Sequence, residues 1–200
     1  MNRMINGLMA VLAGCAAGAA ELDLAGAWRL TDGERTVDAV VPGGVHDALL
    51  AAGEIPDPYV GANETNILWV ARRDWTFERD FTVDAAFLAH RSIVLRLEDC
   101  DTFCTVAVNG ATVGETGDRF RRYDFDVKPF LHAGVNRITG VFRSPVAEAD
   151  ARRAAAGRPY PMANVLWAKN QALIRKPACH AGWDWGPEIE TMGFCGTVKL

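Results

Sequence analysis

Basic charge is in short supply in this chain. Its 21 Lys and Arg are outnumbered by 25 Asp and Glu, for a net charge of −4 over 200 residues. No extended Lys/Arg run or basic stripe appears, which argues against nucleic acid and anionic membrane surfaces as partners. Cysteine is also scarce, at five residues. Cys100 and Cys104 lack a second CxxC-type pair and His180 beside Cys179 is a lone neighbour, so the spacing of a structural zinc site is missing and no metal or cofactor is expected. No internal repeat or low-complexity linker divides the chain, and no βαβ rhythm points to a parallel sheet.

What is present is ordinary globular material: 50% hydrophobic and 23% charged residues, enough for one domain with a real core. The N-terminus stands apart. Residues 4–20 carry no charge, Leu8 to Ala13 are apolar, and "LAGC" (Leu12 to Cys15) precedes "AAGAA". This reads as a short export leader over residues 1–20, too short and too rich in Ala and Gly for a membrane-spanning helix. The "LAGC" is similar to a bacterial lipobox, whose Cys becomes the lipidated first residue. The expectation is therefore a bacterial periplasmic or envelope protein, touching a membrane only through a lipid anchor at Cys15; the alternative is an unprocessed start on a cytoplasmic protein. Cys100, Cys104, Cys179 and Cys195 remain for the domain, and four cysteines can pair in three ways or stay reduced.

Residues 21–200 read as a succession of short strands. "LDLAGAWRL" closes on an Asp32-Gly33 turn. "TVDAVV" is extended, breaks at Pro42-Gly43-Gly44, and gives way to a short helix over Val45–Ala52 that stops at Gly53. Trp75, Phe77, Arg79, Phe81 and Val83 alternate as on a half-buried strand with one polar exception, and Ile93, Leu95 and Leu97 repeat the pattern. "TVAVNGATVGE" is a hairpin, because Asn109-Gly110 suits a turn whose two central residues need positive φ. "VNRITGVFRSP" is a strand closed by Pro145, "VAEADARRAAAG" a helix stopped by Gly157, and "GTVKL" a last strand. Seven or eight strands with one or two short helices predict an all-β, eight-stranded jelly-roll sandwich.

The stretch that asks for a function is "CHAGWDWGPEI" (Cys179 to Ile189). Gly-Pro forces a loop there, yet Asp184 lies between Trp183 and Trp185. Burying one indole removes about 200 Å² from water, worth on the order of 5 kcal/mol. Two readings follow. Both rings tuck into the end of the sandwich with Asp184 stapling loop N–H groups, or the aromatic faces and the carboxylate form a sugar site.

Three motifs in order carry a resemblance: "VPGGVHDALLAAGEIPDPYVGANE" (Val41 to Glu64), "WVARRDWTFERDF" (Trp69 to Phe81) and "IRKPACHAGWDWGP" (Ile174 to Pro187). Together they resemble the N-terminal domain of β-mannosidases in family 2 of the glycoside hydrolases, over nearly all of Leu22 to Leu200. The resemblance implies a galactose-binding-like jelly roll, followed in the family by an immunoglobulin-like domain and a barrel that carries two catalytic glutamates. It implies the sugar-binding domain of an exo-acting enzyme that hydrolyses terminal non-reducing β-D-mannose. Asp184 would reach into the barrel's pocket and orient the sugar, with Trp183 and Trp185 shaping its wall. Trp69, Arg73, Asp74 and Trp75 border the same edge or serve as core packing. "PGGVHDAL" reads as structural, with His46 capping or packing, and Asp101 as a polar residue at a strand end. "GFCGTVKL" departs from the family by placing Cys195 and Gly196 where an aromatic and a basic residue are usual.

A retaining glycosidase needs two carboxyl groups about 5 Å apart. None of Asp47, Asp74, Asp101, Asp184, Glu188 and Glu190 follows an Asn, as the family's acid/base does. Inactivity of the chain by itself is the expectation, and its end matches the end of the family's first domain, as in an excised piece. The alternatives are a free-standing carbohydrate-binding module and the same domain of another family-2 enzyme, a glucosaminidase or galactosidase.

Overall fold

A computed structural model describes residues 20–157 and 170–200. Most of the leader, Cys15 included, lies outside the described residues. In chain order the strands are β1 (Gly26–Thr31), β2 (Thr36–Val41), β3 (Gly43–Gly44), β4 (Trp75–Val83), β5 (Val94–Leu97), β6 (Cys100–Asp101), β7 (Cys104–Val108), β8 (Ala111–Glu115), β9 (Tyr123–Asp126), β10 (Gly134–Phe142), β11 (Ala181–Trp183), β12 (Gly186–Glu188), β13 (Gly193–Phe194) and β14 (Val198–Lys199). The helices are α1 (Val45–Ala51), α2 (Asn63–Ile67), α3 (Ala85–Leu88) and α4 (Pro145–Ala155).

The alternation read in β4 makes it a central strand. It pairs antiparallel with β10 from Val83↔Gly134 to Trp75↔Phe142, within a six-stranded sheet ordered β2-β1-β4-β10-β7-β8. The polar exception on its inner face is satisfied: Arg79 Nη1 donates to the carbonyls of Leu24 and Ala25 at 2.7 and 2.5 Å. Two three-stranded sheets, β14-β5-β9 and β3-β13-β6, form the opposite layer. The layers meet at Phe194 of β13, whose ring lies 5.3, 5.8 and 4.9 Å from those of Trp28, Phe77 and Phe142. Gly140 makes room for it, since a Cβ at that position would stand 2.5 Å from the Phe194 ring.

The Asn109-Gly110 turn joins β7 to β8 with φ of 51° and 82°, as its sequence demands. Ser144 caps α4 by accepting from Ala147 N at 3.0 Å, and Gly157 follows with φ of 63°. Two expectations need correction. Four helices stand among the described residues rather than one or two, because α2 and α3 are short segments in which no apolar period can be read. The eight-strand count also falls short of the fourteen pairing segments among the described residues: β3, β6 and β13 are two residues each and carry no alternation, β9 is a further strand that was not read, and β11 and β12 form where Gly186-Pro187 suggested only a loop. The all-β sandwich itself stands.

Candidate functional site

Strands β11 and β12 form a hairpin of their own, with Ala181↔Glu188 and Trp183↔Gly186 in register. Asp184 and Trp185 are left as its two-residue tip. Trp183 is half-buried, whereas Trp185 is 72% exposed, and the two rings lie 6.4 Å apart at 39°. The reading in which both indoles tuck into the sandwich therefore fails for Trp185. The Asp184 side chain is exposed and makes no hydrogen bond or ion pair among the described residues, so it staples no loop N–H.

A cleft of about 450 Å³ opens on each side of the tip. The first is lined by Tyr59, Glu64, Trp183, Asp184, Trp185 and Glu188. The second shares Tyr59 and Trp185 and continues to His46, Leu50, His180 and Ile189. Tyr59 is 76% exposed, so both clefts offer aromatic surface beside polar groups. That combination suits a pyranose, which presents a C–H face to a ring and hydroxyls to a carboxylate or amide.

The feet of the hairpin stand on a buried polar cluster. Lys176 Nζ donates to both carboxylate oxygens of Asp101 at 2.6 Å and to the Thr191 carbonyl at 2.6 Å. The Thr191 hydroxyl donates to Asp101 Oδ2 at 2.5 Å and lies 3.0 Å from His180 Nδ1. Its single proton is committed to Asp101, so Nδ1 of His180 is the protonated nitrogen that donates to it. Arg119 Nη1 adds a third cationic contact to Asp101 at 3.0 Å, and its Nε donates to Asp99 at 2.5 Å. Gln171 donates to Glu190 across the base of the same segment.

Burial pushes the Asp101 carboxyl up, but the Lys176 charge and the hydrogen bonds of Lys176, Thr102 and Thr191 outweigh it and hold the group below its usual range. Burial and the neighbouring Lys176 charge pull His180 down to about 4. Burial lifts the Cys195 thiol to about 12, so it stays protonated and inert.

The structure places the other sequence candidates elsewhere. Asp101 does end a strand, β6, as its sequence suggests, but it is also the fully buried hub of this cluster, a role that the sequence reading did not give it. Trp75 is core, with its Nε1 donating to Val70 O at 2.9 Å. Asp74 accepts from Ser144 N at 2.8 Å, Arg73 pairs with Asp32 and Glu34, and the guanidinium groups of Arg35 and Arg73 lie over Trp69. None of these four lines either cleft at the hairpin tip. In "PGGVHDAL" the glycines make the close turn, since a Cβ on Gly43 would lie 2.3 Å from Val40 O. Asp47, not His46, accepts from Gly44 N at the start of α1. Burial lowers His46 to about 4, and its Nδ1 has no partner among the described residues. Cys100, Cys104, Cys179 and Cys195 are all free thiols. Lys176 escaped the sequence reading, although a lysine between Arg175 and Pro177 in an otherwise aromatic and glycine-rich segment was visible.

Residues 28–196 match the model of the glycosyl hydrolase 2 galactose-binding domain-like family. The chain is similar to the β-mannosidase of Capra hircus, with 33% identity over 98% of the chain and 24% of that enzyme. Among solved structures it is similar to the β-D-mannosidase of Dictyoglomus thermophilum, with 35% identity and a TM-score of 0.84 over 90% of the chain and 22% of that protein. An exo-chitosanase of Amycolatopsis orientalis shares the fold alone, at 17% identity and a TM-score of 0.61 over 90% of the chain and 20% of that protein. The chain thus spans about a quarter of the length of the curated relatives it matches.

Proposed function

Because the chain belongs to the glycosyl hydrolase 2 galactose-binding-like family and is homologous to the N-terminal domain of β-mannosidases, we propose that it is the sugar-orienting domain of an exo-acting β-mannosidase. The parent enzyme hydrolyses terminal non-reducing β-D-mannose by a retaining mechanism. Its two catalytic carboxyls come from a barrel domain outside these 200 residues. The observation that carries this reading is Asp184, a carboxylate without an intramolecular partner among the described residues, held out at a hairpin tip between two indoles.

In this role Asp184 accepts hydrogen bonds from hydroxyls of the terminal mannose, while Trp183 and Trp185 line the wall of the pocket that the barrel completes. Contacts to non-reacting hydroxyls fix the anomeric carbon against its nucleophile and so raise kcat rather than affinity alone. The test is hydrolysis of an aryl β-mannoside by the full-length polypeptide that contains this chain. Charge-assisted bonds worth roughly 1.5–3 kcal/mol predict a loss in kcat/KM of about ten- to a hundredfold for Asp184→Ala, and less for Asp184→Asn. Unchanged kcat/KM in a folded Asp184→Ala enzyme would refute the assignment. The leader adds a second proposal: the mature protein starts at a lipid-modified Cys15 in a bacterial envelope. Mass spectrometry of the native protein tests it, and an intact N-terminus on soluble cytoplasmic protein overturns it.

A further inference from the structure

We propose that Lys176 and Thr191 are positioning residues for Asp184: with Asp101 and His180 they clamp both feet of the β11–β12 hairpin to the sandwich and set where its carboxylate stands. The inference rests on the reading of Asp184 as the sugar contact, but its evidence is separate.

The hairpin has only two paired positions, and an isolated two-stranded hairpin of that length has no independent stability in water. Its tip is exposed, so little of its placement comes from packing of Trp185. Polar contacts that tie it to the sandwich enter through the feet. Lys176 lies on the incoming strand side and Thr191 on the outgoing side, and both converge on the same Asp101 carboxylate of β6. Thr191 then passes the contact to His180, the residue immediately before β11. A single carboxylate therefore ties the entry of the hairpin to its exit, and both to the opposite layer of the sandwich.

The chemistry of the clamp fits positioning better than stability alone. Taking an ammonium and a carboxylate out of water costs several kcal/mol each, and apolar residues of similar volume stabilise as well or better. Such residues, however, would not fix direction. Lys176 donates to three oxygens on two segments, and Asp101 accepts from Lys176, Thr191, Thr102 and Arg119. A network with every member satisfied permits one arrangement of the feet, because any shift leaves a buried charge short of a partner.

The experiment reads the hairpin directly. Trp183 and Trp185 are close enough to couple their excited states, so the circular dichroism of the chain minus that of its Trp185→Phe variant isolates their couplet from that of Trp69 and Trp75, 6.1 Å apart. Thr191→Val keeps shape and leaves the Asp101–Lys176 pair intact while removing the link to His180. It is expected to lose most of the couplet while the domain still folds, with a melting temperature lowered by several degrees for the lost bond to buried Asp101, and Thr191→Ser is expected to retain both. Lys176→Met is expected to lose the couplet as well. In the full-length enzyme Thr191→Val lowers kcat/KM roughly tenfold, mainly through kcat, as a misplaced transition-state contact does. A folded Thr191→Val chain with the full couplet overturns the proposal. So does a Thr191→Val chain that fails to fold, since the residue would then staple the whole domain rather than the hairpin. If instead the couplet falls as expected while Asp184→Ala leaves hydrolysis intact, the clamp holds and the sugar-contact reading fails.

Discussion

Two aspartates show how differently one side chain type can be used. Asp101 is wholly buried and takes contacts from two cations and two hydroxyls, whereas Asp184 stands in water without a partner among the described residues. Truncating a member of a buried ion pair strands its partner's charge, so Asp101→Ala should destabilise the domain by about 3–5 kcal/mol. Asp184→Ala removes nothing that the fold uses and should stay within about 0.5 kcal/mol of the parent. Urea unfolding of the two variants checks both values, and equal losses would contradict this division of roles. The two were unequally legible in the sequence. Asp184 announces itself through its immediate neighbours, Trp183 and Trp185. Asp101 meets Lys176 from 75 positions away, and nothing local to "EDCDTFC" marks the residue as a hub.

At the scale of elements, the longer strands followed from local pattern because alternation and turn chemistry act over a few residues. The Asn109-Gly110 hairpin, the inner face of β4 and the Val45 helix were readable for that reason. The two-residue strands β3, β6 and β13 were not, since they exist only where the chain crosses a neighbour supplied by tertiary packing. Gly140 illustrates the gap: in the sequence it is a weak point in a strand, and in the fold it is the slot for Phe194. A methyl group there would also come within 3.0 Å of the Cys104 sulfur. With Phe194 wedged among three aromatic rings, Gly140→Ala should cost about 1–3 kcal/mol by overpacking. A melting temperature equal to the parent's would mean that the Phe194 ring yields. Ser144→Ala should cost about 1–2 kcal/mol, because Oγ both caps α4 and donates to Ala71 O at 2.7 Å. Thermal unfolding of the single variants measures each.

For the whole molecule, the likeness to the first quarter of β-mannosidases predicts that the isolated chain hydrolyses no aryl β-mannoside. Asp184 lines a cleft with Glu64 and Glu188, but the resemblance to family 2 implies that the catalytic glutamates stand in another domain. Turnover that co-purifies with the isolated chain and vanishes in Asp184→Ala would overturn this. The domain should also respond to acid as a unit. Burial holds His46 and His180 at about 4, below the ordinary 6.5 of imidazole. Between those values the unfolded chain binds more protons than the folded one, so stability rises with pH across that interval. It is fully present above the unfolded value and is lost as pH falls toward the folded one. Asp101 extends the loss further down: its carboxyl is held below 3.8, so its contribution disappears only as pH drops through that lower range. The melting temperature should therefore fall from about pH 7 to about pH 4.5, before the Asp101 carboxylate itself takes up a proton. His46→Leu removes one titrating group together with an unpartnered buried Nδ1, and should flatten that slope while raising stability near pH 5. An unaltered slope in His46→Leu, with His180 intact, would show that His46 is free to take up its proton in the folded domain.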